Sequence, residues 1–196
     1  MATIGRRDLL LLLFAVKSKS DLTEGINGIT RLQKYVYLLE KEEGILPGEN
    51  GFEFVPYKAG PYSAKLYDDL EFLENLGLIE SEVTSDATDE ESAEIAFQES
   101  LEAGEERFEF KQRQGSDTPD AYEERRYRLT PEGLKHVKRI LSAPAYAPFV
   151  EGVRKIKSKF GTYSLQDLLY YVYTKYPNMT TESEIRDRVL RRKAKK

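Results

Sequence analysis

The chain has 196 residues, a formal charge of −4, 40% apolar and 11% aromatic residues, no cysteine and one histidine. That suits one domain with its own core, or a domain with a small appendage, and argues against wholesale disorder. The lack of cysteine excludes disulfides, a thiolate nucleophile and Cys-ligated metal centres, and His136 alone cannot build a two-histidine metal site.

The first expected helix runs from Arg6 to Lys17. Arg6 and Arg7 ahead of the apolar run Leu9 to Val16 have the look of a signal peptide. However, Asp8 interrupts the basic end, and Lys17-Ser18-Lys19-Ser20-Asp21 stands where a small-residue cleavage site belongs. A bilayer needs about 20 apolar residues, so the run is read as a buried helix and the location as cytoplasmic. After the turn-rich Gly25 to Gly28, Thr30 is the expected N-cap of a helix over Arg31 to Lys41, with Leu32, Val36 and Leu39 on one stripe. Gly44 to Gly51 reads as a loop and lacks the Lys-Ser/Thr ending of a phosphate cradle. Phe52 to Val55 alternates like a short strand.

A third helix is expected from Gly60-Pro61, with proline at the first helical position, through Leu66, Leu70 and Leu73 to a stop at Gly77. Leu78 to Glu80 leaves as a strand. A low-complexity acidic stretch follows from Thr84 to Glu106, with a short helix expected around 92–101. Arg107 to Lys111 reads as a strand and Gln114 to Ala121 as a loop. Glu124 to Leu129 reads as a second strand, and Thr130-Pro131 as the capped start of a helix to Leu141. His136 lies on that helix and reads as a surface or boundary residue, because no nucleophile motif accompanies it. Two further amphipathic stripes follow. One is Phe149, Val153, Ile156 and Phe160; the other is Leu165, Leu168, Leu169, Val172 and Tyr176, opened by Ser164 and closed before Pro177. A short helix over Thr181 to Leu190 and a basic tail over 191–196 end the chain, and no internal repeat is evident.

The order helix, helix, helix, strand, loop, strand is that of a winged helix. The expected class is therefore α+β, mainly helical: a winged helix-turn-helix domain over 1–141, with an acidic wing insert over 84–124. A C-terminal helical region over 142–190 is appended. Two local patterns sharpen this reading. Leu70 to Ile79 is a glycine-capped helix feeding a strand, and Tyr127 to Gly133 is a strand feeding a capped helix.

Leu32-Gln33-Lys34-Tyr35-Val36-Tyr37, followed by Tyr57-Lys58-Ala59-Gly60-Pro61-Tyr62-Ser63, resembles the Leu-Gln-Lys…Gly-Pro signature of Panacea/SocA-type antitoxin domains. It is similar also to the YwgA-type and phage-associated proteins that share it. The resemblance covers about residues 28–80. It implies a winged-helix-like domain, no catalysis, and a role in toxin neutralisation, phage defence or regulation. The chain departs from the pattern at Tyr62, where a small aliphatic residue is commoner, and in its acidic insert and C-terminal helices.

Charge is unevenly placed. Residues 1–80 hold 9 Lys/Arg against 13 Asp/Glu, residues 81–106 hold no base and 10 acids, and residues 107–196 hold 21 bases against 11 acids. A basic half-chain of that kind suits a polyanion, with the acidic stretch either solvated or lying over the basic surface. For DNA, the candidate contacts are Lys58, Tyr62, Ser63 and Lys65 at the start of the third helix, and Arg125, Arg126 and Arg128 on the wing strand. Asp68, Asp69, Glu71 and Glu74 oppose that reading if they face the duplex. The alternative is an antitoxin-type module that meets a basic toxin or effector through its acidic third helix and insert. Adjacent Asp68 and Asp69 make a poor ligand pair on a helix. No metal, cofactor or catalytic residue is expected. Tyr163, Tyr170, Tyr171, Tyr173 and Tyr176 read as a core or homodimer face.

Overall fold

The computed structural model describes residues 3–17, 25–46, 48–84 and 124–191. The readings made above for 85–123 and 192–196 lie outside the described residues: most of the acidic insert with its short helix, the strand over 107–111, the loop over 114–121 and nearly all of the tail.

The elements, in order, are α1 (Arg6–Ala15), β1 (Ile26–Asn27), α2 (Ile29–Glu42), β2 (Val55–Tyr57), β3 (Gly60–Tyr62), α3 (Ala64–Asn75), β4 (Ile79–Thr84), β5 (Glu124–Leu129), α4 (Pro131–Ser142), α5 (Ala147–Phe160), α6 (Leu165–Lys175) and α7 (Arg186–Arg191). The protein is α+β and mainly helical. No helix among the described residues is long and apolar enough to cross a membrane.

Two helices form the centre. Leu9 to Phe14 of α1 are all buried, as the unbroken apolar run requires. In α2 the single stripe expected from Leu32, Val36 and Leu39 is too narrow, because every residue from Leu32 to Leu39 is buried. α5 and α6 close over these two with Val153, Ile156, Phe160, Leu168, Leu169 and Val172, so one core runs through both parts of the chain.

The small sheet has the order β1-β5-β4, with both pairs antiparallel. Ile79 pairs with Leu129, Ser81 with Tyr127 and Glu82 with Arg126. Period-2 alternation therefore places Ile79 and Tyr127 toward the core and Glu80, Glu82, Arg126 and Arg128 on the other face. Burial pushes the Tyr127 phenol up to about 12, the Glu74 carboxylate adding to the rise.

Three starting points differ from the sequence expectation. α2 begins at Ile29 with Gly28 as N-cap, and Thr30 is buried in the first turn. Gly28 takes φ +78° and donates its N–H to Arg125 O at 3.0 Å, which ties the helix start to β5. The strand expected at Phe52 starts instead at Val55. Most consequentially, Gly60-Pro61 does not open a helix but lies in β3, with Pro61 opposite Pro56 across a two-stranded ribbon. The turn needs glycine at position 60: φ is +90°, and a Cβ there would lie 2.9 Å from Tyr173 Cε2. α3 then starts at Ala64, capped by Ser63, whose hydroxyl accepts from Leu66 N at 3.2 Å. Residues 43–63 thus separate α2 from α3, far more than a tight helix-turn-helix connection uses.

The caps read from sequence at Thr130 and Ser164 are in place. Thr130 Oγ1 accepts from Gly133 N at 3.1 Å, and Ser164 Oγ accepts from Asp167 N at 3.0 Å.

Candidate interaction surface

The residues of the Leu-Gln-Lys…Gly-Pro pattern face inward. Gln33 is fully buried and clasps the Ser63 backbone from both sides, its Nε2 donating to Ser63 O at 3.1 Å and its Oε1 accepting from Ser63 N at 3.0 Å. Lys34 is equally buried and donates from Nζ to Pro61 O at 3.1 Å. Seven residues from Gln33 along α2, Glu40 accepts from Phe52 N at 2.6 Å, and burial raises its pKa despite that bond. Three side chains of α2 thus hold the segment 52–63, and through it the start of α3. An apolar helix buried on every side is a costly place for such groups unless they are paired, and here each is.

Ser63 belongs to this clasp. It is 0% exposed, and besides capping α3 its hydroxyl donates to Phe52 O. As a contact for a DNA phosphate it is therefore corrected: no part of it reaches the surface.

The other six candidate residues are at least partly accessible, in two groups. Lys58 sits in the β2–β3 turn with its Nζ 3.5 Å from Glu184 Oε1, and its carbonyl accepts from Ser183 Oγ at 3.0 Å. Lys65 is ion-paired with Glu53. Tyr62 stacks between Tyr57 and Tyr67, with ring centroids 4.8 and 5.7 Å away. On the sheet, Arg128 Nε meets Glu80 Oε1 at 2.8 Å and its Nη2 meets Glu82 Oε2 at 3.4 Å. Arg125 Nη1 donates to Ser81 Oγ at 3.2 Å. Arg126 lies directly across from Glu82. Arg126 and Arg128 thus face the carboxylates of β4, while Arg125 lies on the opposite face of the sheet with Ser81; alternation within each strand gives these faces, and the register brings them together.

The outward stripe of α3 is of the opposite character. Ala64, Asp68, Glu71, Phe72 and Asn75 are exposed at helical spacing, and Lys65 in the first turn is the helix's single base. Phe72 is 39% and Leu76 55% exposed, both well above what a packed apolar side chain leaves uncovered. Asp69 lies on the buried side, where Arg6 Nε and Arg7 Nε reach its two carboxylate oxygens at 2.7 and 2.8 Å. Arg7 also lies over the Phe72 ring, 3.5 Å from its centroid. Of the four acidic residues of α3, Asp69 is thereby structural and Glu74 is half-buried near the Tyr127 phenol, which leaves Asp68 and Glu71 on the outward face.

A second polar cluster joins the C-terminal end of α2 to α5 and α6. Glu42 accepts from Lys159 at 2.9 Å, from Lys175 at 2.9 Å and from the Tyr171 hydroxyl at 2.7 Å. Burial pushes the Glu42 carboxyl up, but the hydrogen bonds from Lys159, Tyr171 and Lys175 outweigh it and hold the group below the usual range. Hydrogen bonds to Tyr171 and Glu42 raise the Lys175 ammonium. Of the five C-terminal tyrosines, Tyr173 is core, Tyr171 and Tyr176 belong to this cluster, and Tyr163 and Tyr170 line an open depression beside it with Asp167 and Thr174.

His136 is exposed, its Nε2 3.3 Å from Asp8 Oδ1. Among the described residues no three His, Asp or Glu side chains come together as metal ligands. No protein-family model and no curated protein matches the chain.

Proposed function

We propose that the protein is a non-enzymatic binding module of antitoxin type, whose outward α3 face meets a basic surface on a protein toxin or effector. The observation that carries this reading is the composition of that face. Asp68 and Glu71 stand beside exposed Phe72 and Leu76, and α3 carries no base after Lys65. Exposed aromatic and aliphatic side chains beside exposed carboxylates suit a cationic protein partner, because burying the apolar groups supplies affinity and the charges supply steering and discrimination. The same stripe laid in a major groove would set two carboxylates against phosphates. The resemblance to Panacea/SocA-type domains, carried by residues 32–37 and 57–63, agrees with such a role.

A second reading is a winged-helix DNA-binding regulator. It is favoured by the three helices α1 to α3, the sheet order β1-β5-β4, and the placing of Arg126 and Arg128 on one face of β5. Its weakness is that Arg128 is already engaged by Glu80 and Glu82.

The two readings separate in one experiment. Tagged full-length chain and its Asp68→Lys/Glu71→Lys variant are used to recover partners from native lysate, while binding to duplex DNA is followed by fluorescence anisotropy at near-physiological salt. A protein retained by the wild type and lost from the variant supports the antitoxin-type reading. An unchanged protein set, with DNA binding that Arg126→Ala/Arg128→Ala abolishes, replaces it with the second.

A further inference from the structure

Two helices leave outward faces of opposite charge. On α3, Asp68 and Glu71 are exposed beside Phe72 and Leu76, which are 39% and 55% uncovered. On α4 only Gly133, Val137 and Ile140 are buried. Leu134 and Leu141 are each 43% exposed, and Lys138 stands between them, four residues from one and three from the other. Lys135 and Arg139 are exposed on the outward side of the same helix. Lys135 meets only Glu132 of its own helix, at 3.6 Å, and no ion pair engages Lys138 or Arg139 among the described residues. Both faces thus join a row of apolar side chains to charges of one sign, acidic on α3 and basic on α4.

The two helices adjoin. Thr130, the N-cap of α4, donates from Oγ1 to Gly77 O at 2.6 Å, and Gly133 lies against the Leu78 carbonyl, so the C-terminal end of α3 meets the N-terminal end of α4. From that joint the acidic arm runs back about 12 Å along α3, from Leu76 to Asp68, and the basic arm runs on about 10 Å along α4, from Leu134 to Leu141. A two-fold contact between identical chains requires one patch to be its own complement. An acidic arm and a basic arm that meet at exposed leucines have that property in charge and in length. Apolar side chains near the joint supply affinity, and the opposite charges along the arms fix the register.

We propose that the protein self-associates as a two-fold pair in which the acidic face of α3 in each chain meets the basic face of α4 in the other. The nine side chains named fall well short of the roughly 20–30 residues per partner of a stable interface, so the pair is transient and its share rises with concentration. Because much of the attraction is ionic, salt weakens it. The pair occupies the same α3 face that the proposed function gives to a toxin or effector, so self-association holds that face in reserve until a partner competes for it. This last consequence rests on the function proposed above; the pairing itself does not.

Sedimentation velocity of the full-length chain measures the pairing, over about 5–300 μM protein at about 0.05 M and about 1 M NaCl. The expected result is a monomer–dimer equilibrium at low salt that weakens at least tenfold at high salt. Two charge-swapped variants are then compared, Asp68→Lys/Glu71→Lys and Lys138→Glu/Arg139→Glu. All four positions are exposed, and melting temperatures close to the wild type establish that both variants fold. Each variant alone sets like charges against like and should pair at least ten times more weakly than the wild type. Mixed in equal amounts, the two should recover a heterodimer of nearly wild-type strength, because each basic face then meets an acidic one. A wild type that stays monomeric throughout the low-salt range overturns the proposal without any variant. So does a dimer that neither swap weakens, or a pair of monomeric variants that stay apart on mixing. Capture from native lysate separates this inference from the proposed function. A wild type that pairs as expected but retains no partner supports the pairing and overturns that function, whereas a monomeric wild type that retains a partner through Asp68 and Glu71 does the reverse.

Discussion

Ser63→Ala is the sharpest test of whether the buried clasp, rather than the surface, explains the Gly-Pro-Tyr-Ser segment. The substitution removes one oxygen with two duties: capping α3 through Leu66 N and donating to Phe52 O. Loss of the cap alone costs about 1 kcal/mol. Leaving the buried Phe52 carbonyl short of its donor costs about 1–3 kcal/mol more. The expected destabilisation is therefore about 2–4 kcal/mol, which for a chain of this size lowers the melting temperature by roughly 5–15 °C. Circular dichroism melting and urea titration of wild type and variant measure it directly. Gln33→Ala, which strips both bonds from the Ser63 backbone, should cost a comparable amount. The double variant should lose less than the sum of the two, because both changes loosen the same turn. A Ser63→Ala protein that melts within a degree of wild type, or a double variant that is strictly additive, would refute the clasp. If Ser63→Ala left stability intact and instead weakened binding to a partner, the surface-contact reading of Ser63 would be restored.

Three further outcomes follow from the same contacts. Glu42→Gln should flatten the acid limb of the stability–pH curve. The Glu42 carboxyl is held below its ordinary range, so its contribution is present above an ordinary glutamate pKa and fades as pH falls through the folded value. Melting temperatures from pH 3 to 7 for the two proteins should converge at the acid end, and parallel curves would contradict the assignment. Gly133→Ala should destabilise the chain by about 3 kcal/mol or more, because a Cβ at that position would run into the carbonyl of Leu78, a backbone atom that has no rotamer with which to yield. Urea denaturation reads the effect, and a near-neutral substitution would mean that α4 does not sit against Leu78. Arg126→Ala/Arg128→Ala should change stability by about 1 kcal/mol or less, since exposed ion pairs contribute little. A larger loss in urea titration would show that the charge ladder holds β4 to β5.

Much of the fold was legible in the sequence because its signals are local. Thr130-Pro131 and Ser164 carry their own cap chemistry, Gly77 its positive φ of 65°, and the C-terminal stripes their period. What was not legible depends on distant partners. Gly60-Pro61 reads as a helix start by itself, and only its pairing with Pro56 and the approach of Tyr173 make it a strand and turn. Thr30 has the chemistry of a cap, but β1 and the Gly28–Arg125 bond claim the helix start two residues earlier. Period alone cannot tell a half-buried helix from a central one, so α2 was read with one apolar stripe, which does not include the buried Gln33 and Lys34. Of the candidate site, Arg125, Arg126 and Arg128 were correctly placed on a strand, β5. The β4 carboxylates that face Arg126 and Arg128 went unread because alternation gives the faces of each strand but not the register between them.

The placing of the signature residues bears on what a resemblance of this kind can carry. Gln33, Lys34, Pro61 and Ser63 are buried, with Gln33 bonded to Ser63 and Lys34 to Pro61. Such residues specify how α2, the β2–β3 ribbon and the start of α3 are assembled. Chains that share them would share that assembly while differing in every partner they bind, since fold and function are separable. Under the proposed function, discrimination between partners resides in exposed positions outside the clasp, and on α3 these include Asp68, Glu71, Phe72 and Asn75. Exchanging those four positions should alter the choice of partner without lowering the melting temperature, whereas exchanging Gln33 or Ser63 should lower the melting temperature whatever the partner.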